Sequence, residues 1–461
     1  MSSDKKDCFQ LCLTSVMEKR NDEVKGFNES TKREPSNEPN KAMEPSADIV
    51  VESTEKKDNK KTCLKKSAKD CDKELMKIAK KQLDDFVAKA LEKELDGLKA
   101  EYKEKIAIII PSKDEVTAFY SSEASRKNRN MTVPCLDATR VVLKGNSSDS
   151  YFHGNYIESV GVKKRYIVCQ GPLDNTIEMF IKVLHQENCE VIVQLCNFME
   201  GKTKKCSEYI PLKVKGSFVF DGIAIHLEKR ELLPKDKNVT VSTLNIVRGK
   251  KECTIRHYLW NSWPEQGCPA ISPTAMRIFA EIYTTKNPIL IHCSSGIRRS
   301  GVFTLICMFM DHISQANVSD GLLLTLAQNL RRQRAGAITS DIDYLFVHRV
   351  LMQRFLDRNL IQSCQNLLIF FDDYDPALKK AQLLEKERKG EATLGPMPIL
   401  PINEKGGIII EKKNKESPKP GKGDVDRGES ASKVKEKQKD KGKDGEEKCQ
   451  EEKPGKVRSI M

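Results

Sequence analysis

A chain of 461 residues has room for one large domain with flanking segments, or for about three domains of ~150 residues. Hydrophobic residues make up 38% and charged residues 31%, so the polarity must be concentrated in part of the chain if the rest is to bury a core. A formal charge of +13 suits acidic partners, and 15 scattered cysteines without Cys-x-x-Cys or zinc-like His/Cys spacing exclude a disulfide framework and a zinc cluster.

The first stretch, "MSSDKKDCFQLCLTSVMEKR", lacks the basic start and apolar core of a secretory leader. No apolar run approaches the roughly 18–20 residues of a membrane span. Reduced thiols in the cytoplasm, with the nucleus as the alternative, are therefore expected. Residues 1–70 are rich in Lys, Glu, Ser, Asn and Pro and poor in aromatics, which predicts disorder. Over 72–105, Leu75, Ile78, Ala79, Leu83, Phe86, Val87, Ala90, Leu91, Leu95 and Leu98 recur at steps of three or four. This predicts an amphipathic helix, packed on a domain edge or self-associating as a coiled coil.

Between 106 and 360 the composition is globular. Strand-like runs are "RYIVCQ", "EVIVQLC", "SFVFDGIAIHLEKREL", "VTVSTLNIVR" and "PILIHC". Helix-like stretches span 175–187, 272–283, 301–315, 321–334 and 341–356. The mixture predicts an α/β (α+β) domain with a mixed, twisted central sheet flanked by helices. Residues 361–402 read as a partly ordered extension. Residues 403–461 are a Lys/Glu/Gly polyampholyte, read as a disordered tail that is simply solvated or that binds an acidic partner, RNA or a membrane surface. Without aromatic interleaving the tail gives no support to nucleic-acid readout.

The chemistry concentrates in "ILIHCSSGIRRSG", residues 289–301. A buried strand ends at Cys293, "SSGIRR" forms a tight turn, and an amphipathic helix follows. Backbone N–H groups of such a turn point into a concavity at a helix N-terminus, which favours an anion. A cysteine at its base is expected to act as a nucleophile near neutral pH. The planar fork of Arg299 suits two oxygens of a phosphate, and Ser300 can donate its hydroxyl to the sulfur. Ser294, Ser295, Gly296, Ile297 and Arg298 would line the cradle.

The loop "IHCSSGIRRSG" resembles the signature loop of the classical, non-receptor type protein-tyrosine phosphatases. Six further blocks resemble that family in order: "SRKNRNMTVPCLDATRVVL" its substrate-recognition loop, "GNYIESV" and "YIVCQGPLDNT" the segments after it, "MEGKTKKCSEYIP" the block whose glutamate, here Glu200, braces the signature arginine, "WNSWPEQGCP" the mobile loop carrying the general acid, and "RRQRAGAITSDIDYLFVHRVL" the glutamine loop and final helix. The resemblance covers roughly residues 110–355. It implies a phosphatase-like fold, hydrolysis through a phosphocysteine, phosphotyrosine-containing proteins as substrates, and no metal or organic cofactor.

Departures from the family pattern bear on the rate. Glu265, beside Trp263, stands where the resemblance places an aspartate as general acid, and its extra methylene displaces the proton donor by about an ångström, an error that can cost on the order of a hundredfold. Arg298 replaces a glycine, and either strains the cradle or adds positive charge at its rim. Asn130 replaces a tyrosine that walls the aryl slot, and Thr132 an aspartate that clamps the substrate backbone. Thr339 and Asp343 occupy two glutamine positions that orient the hydrolytic water. His292 and His257 are expected to be structural, and Arg331 and Arg332 to form a helix face. Two functions remain open: a slow cysteine-dependent protein-tyrosine phosphatase, or a catalytically impaired pseudophosphatase that binds phosphorylated partners or acts as a scaffold. A third class, a structural platform for basic tails, is weaker.

Overall fold

The computed structural model describes residues 68–145, 150–265, 267–315 and 317–391, all within one compact unit. The predicted C-terminal tail and most of the predicted N-terminal one lie outside the described residues.

A nine-stranded sheet runs in the order β1 (Arg140–Val142), β2 (Tyr151–Ser159), β3 (Val162–Gln170), β11 (Ile289–Cys293), β4 (Val191–Gln194), β10 (Lys251–Trp260), β9 (Asp236–Arg248), β8 (Ile223–Leu233) and β7 (Ser217–Phe220). Strand β11 pairs in parallel with both β3 and β4, and all five of its residues are buried. A continuous apolar run is what a central parallel strand, covered on both faces, requires. The outer strands β7, β8 and β9 pair antiparallel. A separate ribbon joins β5 (Met199–Glu200) to β6 (Thr203–Lys204).

Helix α1 spans Ala68–Glu101 and breaks at Glu94 (φ 54°, ψ −175°). Helices α2 (Ile177–Gln186), α3 (Thr274–Ile282), α4 (Arg299–Ser314), α5 (Leu322–Gln333), α6 (Asp341–Asp357) and α7 (Gln365–Glu391) follow. Helix α4 lies against β11, β3 and β2, so the turn that feeds it stands at the C-terminal end of the central strand. That edge of an α/β sheet is where ligands usually bind. Helix α1 buries Leu83, Val87, Ala90, Leu95 and Leu98 and packs against α6 and α7. From Leu83 onward its apolar face is therefore covered by its own chain. Beyond the break, Glu101 is buried and is held by Lys93 and by the Tyr344 hydroxyl at 3.0 Å.

Strands β1, β2 and β10 and helix α7 were not among the predicted elements. Strand β2 carries Gly154, where a Cβ would lie 2.7 Å from that of Cys169, so a residue that weakens strand propensity is needed for close packing. Helix α7 contains Pro376, a residue that normally argues for a break. Among the described residues no helix is long and apolar enough to cross a membrane.

Candidate active site

Cys293 ends β11 and is 3% exposed. Its Sγ accepts a hydrogen bond from the Gly296 amide at 3.2 Å. The loop closes over it because its carbonyls are tied down from outside. Gly171 N–H donates to the Ser294 oxygen at 2.9 Å and Ile338 N–H to the Ile297 oxygen at 2.9 Å. Arg334, fully buried, donates to the Ser295 and Gly296 oxygens at 3.1 and 3.0 Å. A trans peptide directs its N–H opposite its C=O, so the amides of residues 295–298 face the other way, toward the concavity. Gly296 is indispensable to this path. Its φ is 71°, and a Cβ there would stand 2.1 Å from the Cys169 carbonyl oxygen.

Arg299 is locked by a two-pronged pair with Glu200, Nη1–Oε1 at 2.5 Å and Nη2–Oε2 at 2.8 Å, while Nη1 also donates to the Leu195 oxygen at 3.0 Å. Burial works against the guanidinium charge, but the Glu200 carboxylate outweighs it and raises the group above its ordinary range. The fork is thus fixed in orientation before any ligand arrives.

The Ser300 hydroxyl is buried and has no hydrogen-bond partner. The expected bond to the sulfur is absent, and the contact to Sγ comes from the Gly296 amide instead. His292 is buried and close to the Tyr209 hydroxyl at 2.8 Å, and burial pushes its imidazole down to about 4. Tyr209 also bonds Gln194 at 2.9 Å and lies 3.0 Å from His257 Nε2. Both histidines belong to a neutral network beneath the loop rather than to its mouth.

Trp263 anchors the acid-bearing loop. It is 3% exposed and packs against Trp260 and Phe346 at ring-centroid distances of 4.8 and 5.9 Å. Glu265, two residues on, is exposed and pairs with Lys205 Nζ at 2.8 Å. A carboxyl that is to deliver a proton to a leaving group has first to release this ammonium.

Arg298 and Asp343 take up positions different from those expected. Arg298 has φ −83°, so the backbone there is not in the region reserved for glycine, and its side chain turns away from the cradle. Its Nε bonds Asp343 Oδ1 at 3.2 Å and its Nη1 bonds Glu385 Oε1 at 2.7 Å. Neither a strained cradle nor a free positive rim results. Asp343 is fully buried and also accepts from the Thr339 hydroxyl at 2.8 Å. A carboxylate engaged in this way cannot line the substrate pocket or orient water in it. Thr339 is exposed but spends its hydroxyl on Asp343. Asn130 and Thr132 are exposed and satisfy each other, the Asn130 carbonyl accepting from Thr132 N and Oγ1 at 2.8 Å.

Three supporting residues escaped the sequence reading. Arg334 holds the loop carbonyls, and also bonds Asn155 at 2.8 Å, yet within "RRQR" nothing marks it apart from its neighbours. Its neighbour Arg331, read as part of a helix face, turns inward and donates to the Ala337 and Ile338 oxygens at 3.1 and 2.8 Å. Arg129 donates to the Gly171 and Pro172 oxygens at 3.0 Å each, fixing the segment whose Gly171 in turn holds Ser294.

Comparison with known proteins agrees with this geometry. Residues 124–353 match the family model for protein-tyrosine phosphatase. The chain is 31% identical over 238 residues to human tyrosine-protein phosphatase non-receptor type 5, covering 49% of this chain and 40% of that protein. It is 27% identical over 237 residues to human receptor-type tyrosine-protein phosphatase C, covering 49% of this chain and 18% of that protein. The match to tyrosine phosphatase-like protein J1 of Microplitis demolitor bracovirus is 28% over 244 residues, 50% of this chain and 80% of that one. The chain thus spans less than half the length of the two human relatives. Among solved structures, the catalytic domain of human protein tyrosine phosphatase non-receptor type 18 superposes with a TM-score of 0.51 at 26% identity, covering 57% of this chain and 96% of that one.

Proposed function

Since residues 124–353 belong to the protein-tyrosine phosphatase family, we propose that the chain hydrolyses phosphotyrosine on proteins through a phosphocysteine, at a reduced rate. The observation that carries this reading is the pairing of Cys293, under the Gly296 amide, with an Arg299 already fixed by Glu200. Cys293 Sγ attacks phosphorus, forming the S–P bond as the bond to the tyrosine oxygen breaks. Arg299 and the amides of residues 295–298 hold the three non-bridging oxygens as charge moves onto them. Glu265, freed from Lys205, gives its proton to the departing phenolate. Water then cleaves the S–P bond and returns the thiolate. That second step is the slow one, because Thr339 and Asp343 are engaged with each other and Asp343 is buried. A cytoplasmic setting fits this substrate class.

The burial of Asp343 also favours a second reading, a phosphate receptor that retains its nucleophile without turning over. Release of inorganic phosphate from a phosphotyrosine peptide by the full chain, beside Cys293→Ser and Glu265→Asp variants, separates the two. Turnover abolished by the serine and raised by the aspartate supports the enzyme. Peptide binding without phosphate release supports the receptor.

A further inference from the structure

Helix α7 reaches both loops of the candidate site through one side chain. Glu385 Oε1 accepts from Arg298 Nη1 at 2.7 Å, next to the arginine that grips phosphate, and Glu385 Oε2 accepts from the Gly267 amide at 3.3 Å, two residues after Glu265. One turn earlier on α7, Gln382 presses against Gly267 so closely that a Cβ there would lie 2.5 Å from the Gln382 side chain. Gly267 has φ 71°, so the loop backbone is shaped to receive the helix. Arg298 is tied in the same way on its other edge to Asp343, at 3.2 Å, and the Cys268 thiol lies 3.5 Å from that same carboxylate oxygen. The signature loop, the acid loop and the starts or sides of two helices therefore meet at one cluster of one cation and two carboxylates.

The outer carboxylate is the accessible part of the cluster. The Asp343 side chain is 1% exposed, whereas that of Glu385 is 26% exposed. A partly exposed ion pair can be loosened without unfolding the core, because water reaches the outer carboxylate and takes over part of its charge. Trp263 anchors the start of the acid loop in the core and buried Cys268 its end, beside Asp343, while Gly267 is met by α7.

We infer that Glu385 is a positioning residue, through which α7 sets where the acid loop stands relative to the Cys293 loop. The inference rests on the proposed phosphatase reading only for its kinetic consequence, since the loop is positioned whether or not phosphate is released. The position of the loop decides whether Glu265 reaches a leaving group or stays with Lys205. Anything that draws α7 away would then change proton delivery without touching phosphate capture.

The chain contains two tryptophans, and both, Trp260 and Trp263, stand at the start of the acid loop, so its motion can be read without catalysis. The test compares the full chain with Glu385→Ala, Glu385→Gln, which keeps an acceptor oxygen, and Lys386→Ala, an exposed change on the same helix. Acrylamide quenching of tryptophan fluorescence and amide exchange at Gly267–Cys268 are the first readouts, alongside thermal melting. The alanine variant is expected to raise the quenching constant about twofold and speed exchange at Gly267 at least tenfold, with the glutamine between and Lys386→Ala unchanged. Equal quenching and exchange in Glu385→Ala and the parent chain would overturn the inference, whatever the activity. In a chain that turns over, Glu385→Ala should alter kcat for a phenyl phosphate more than for an aryl phosphate with a strongly acidic phenol, at unchanged vanadate affinity. An equal change for both substrates would reduce Glu385 to a structural role and contradict the inference. If no variant releases phosphate while the exchange difference stands, the phosphatase reading fails and the positioning role survives.

Discussion

Arg298 Nε and Asp343 Oδ1 stand 3.2 Å apart, joining two positions at which the sequence departs from the phosphatase pattern. Read separately, the arginine looks like a threat to the cradle and the aspartate like a poor substitute for a water-orienting amide. Together they form a buried ion pair beneath the loop, each departure accommodating the other. Removing the cation leaves an uncompensated buried carboxylate, which commonly costs about 3 kcal/mol or more. Arg298→Gly is therefore expected to lower the unfolding free energy by about 3 kcal/mol. Adding Asp343→Asn to it should recover part of that loss, as urea unfolding of the single and double variants would show. Additive losses would mean the pair is not coupled.

The Gly296 position admits no side chain. A Cβ 2.1 Å from a backbone carbonyl oxygen, at φ 71°, can be accommodated only if the loop opens. Gly296→Ala should abolish vanadate binding measured by calorimetry while the far-ultraviolet spectrum keeps its mixed helix and strand content. Retained micromolar binding would show that the amide cradle is not what holds the anion.

Glu200 orients Arg299 through two bonds, and hydrogen bonds to a charged group are worth about 1.5–3 kcal/mol each when lost. Glu200→Gln keeps one acceptor and should weaken vanadate inhibition about ten- to a hundredfold. Glu200→Asp, which keeps the charge on a shorter stem, should fall between.

Acid should destabilise the fold earlier than its carboxylates alone would dictate. Burial pushes His153, His257 and His348 down to about 3 and His292 to about 4, against about 6.5 in the unfolded chain. Below pH ~6.5 the unfolded state therefore binds more protons than the folded one, and stability falls as pH falls, by about 1.4 kcal/mol per pH unit for each such histidine, until the folded values are reached. His348 stacks on Phe86 at 5.5 Å and neither ring nitrogen has a partner, beside a cavity of about 120 Å³. His348→Phe should raise stability at pH 5 and flatten the slope between pH 6.5 and 4 by one histidine's share. An unchanged slope in urea midpoints would contradict this.

The residues proposed to carry the chemistry and the residues that hold them were not equally legible in the sequence. Cys293, Arg299 and Glu200 could be located because their family blocks have fixed order and spacing, and β11 because a short apolar run feeding a turn has few other uses. Its two neighbours, β3 and β4, followed for the same reason. Arg334 could not be found this way, because its role depends on which carbonyls the fold brings to it across 38 and 39 residues. Glu385 was hidden twice over, by the proline that disguises α7 and by its distance in sequence from both loops. The direction of the Arg298 side chain likewise depends on partners from α6 and α7, so substitution logic at its own position could not decide it.

On the proposed mechanism Cys293 forms a bond to phosphorus and is slow to lose it. A rapid-quench measurement with the full chain and an activated aryl phosphate tests this most directly. A burst of aryl alcohol of about one equivalent per chain is expected, followed by slow steady release, with the burst abolished in Cys293→Ser. Binding of the phosphate ester with neither burst nor steady release would contradict it, and would leave the loop a receptor for phosphate rather than a catalyst.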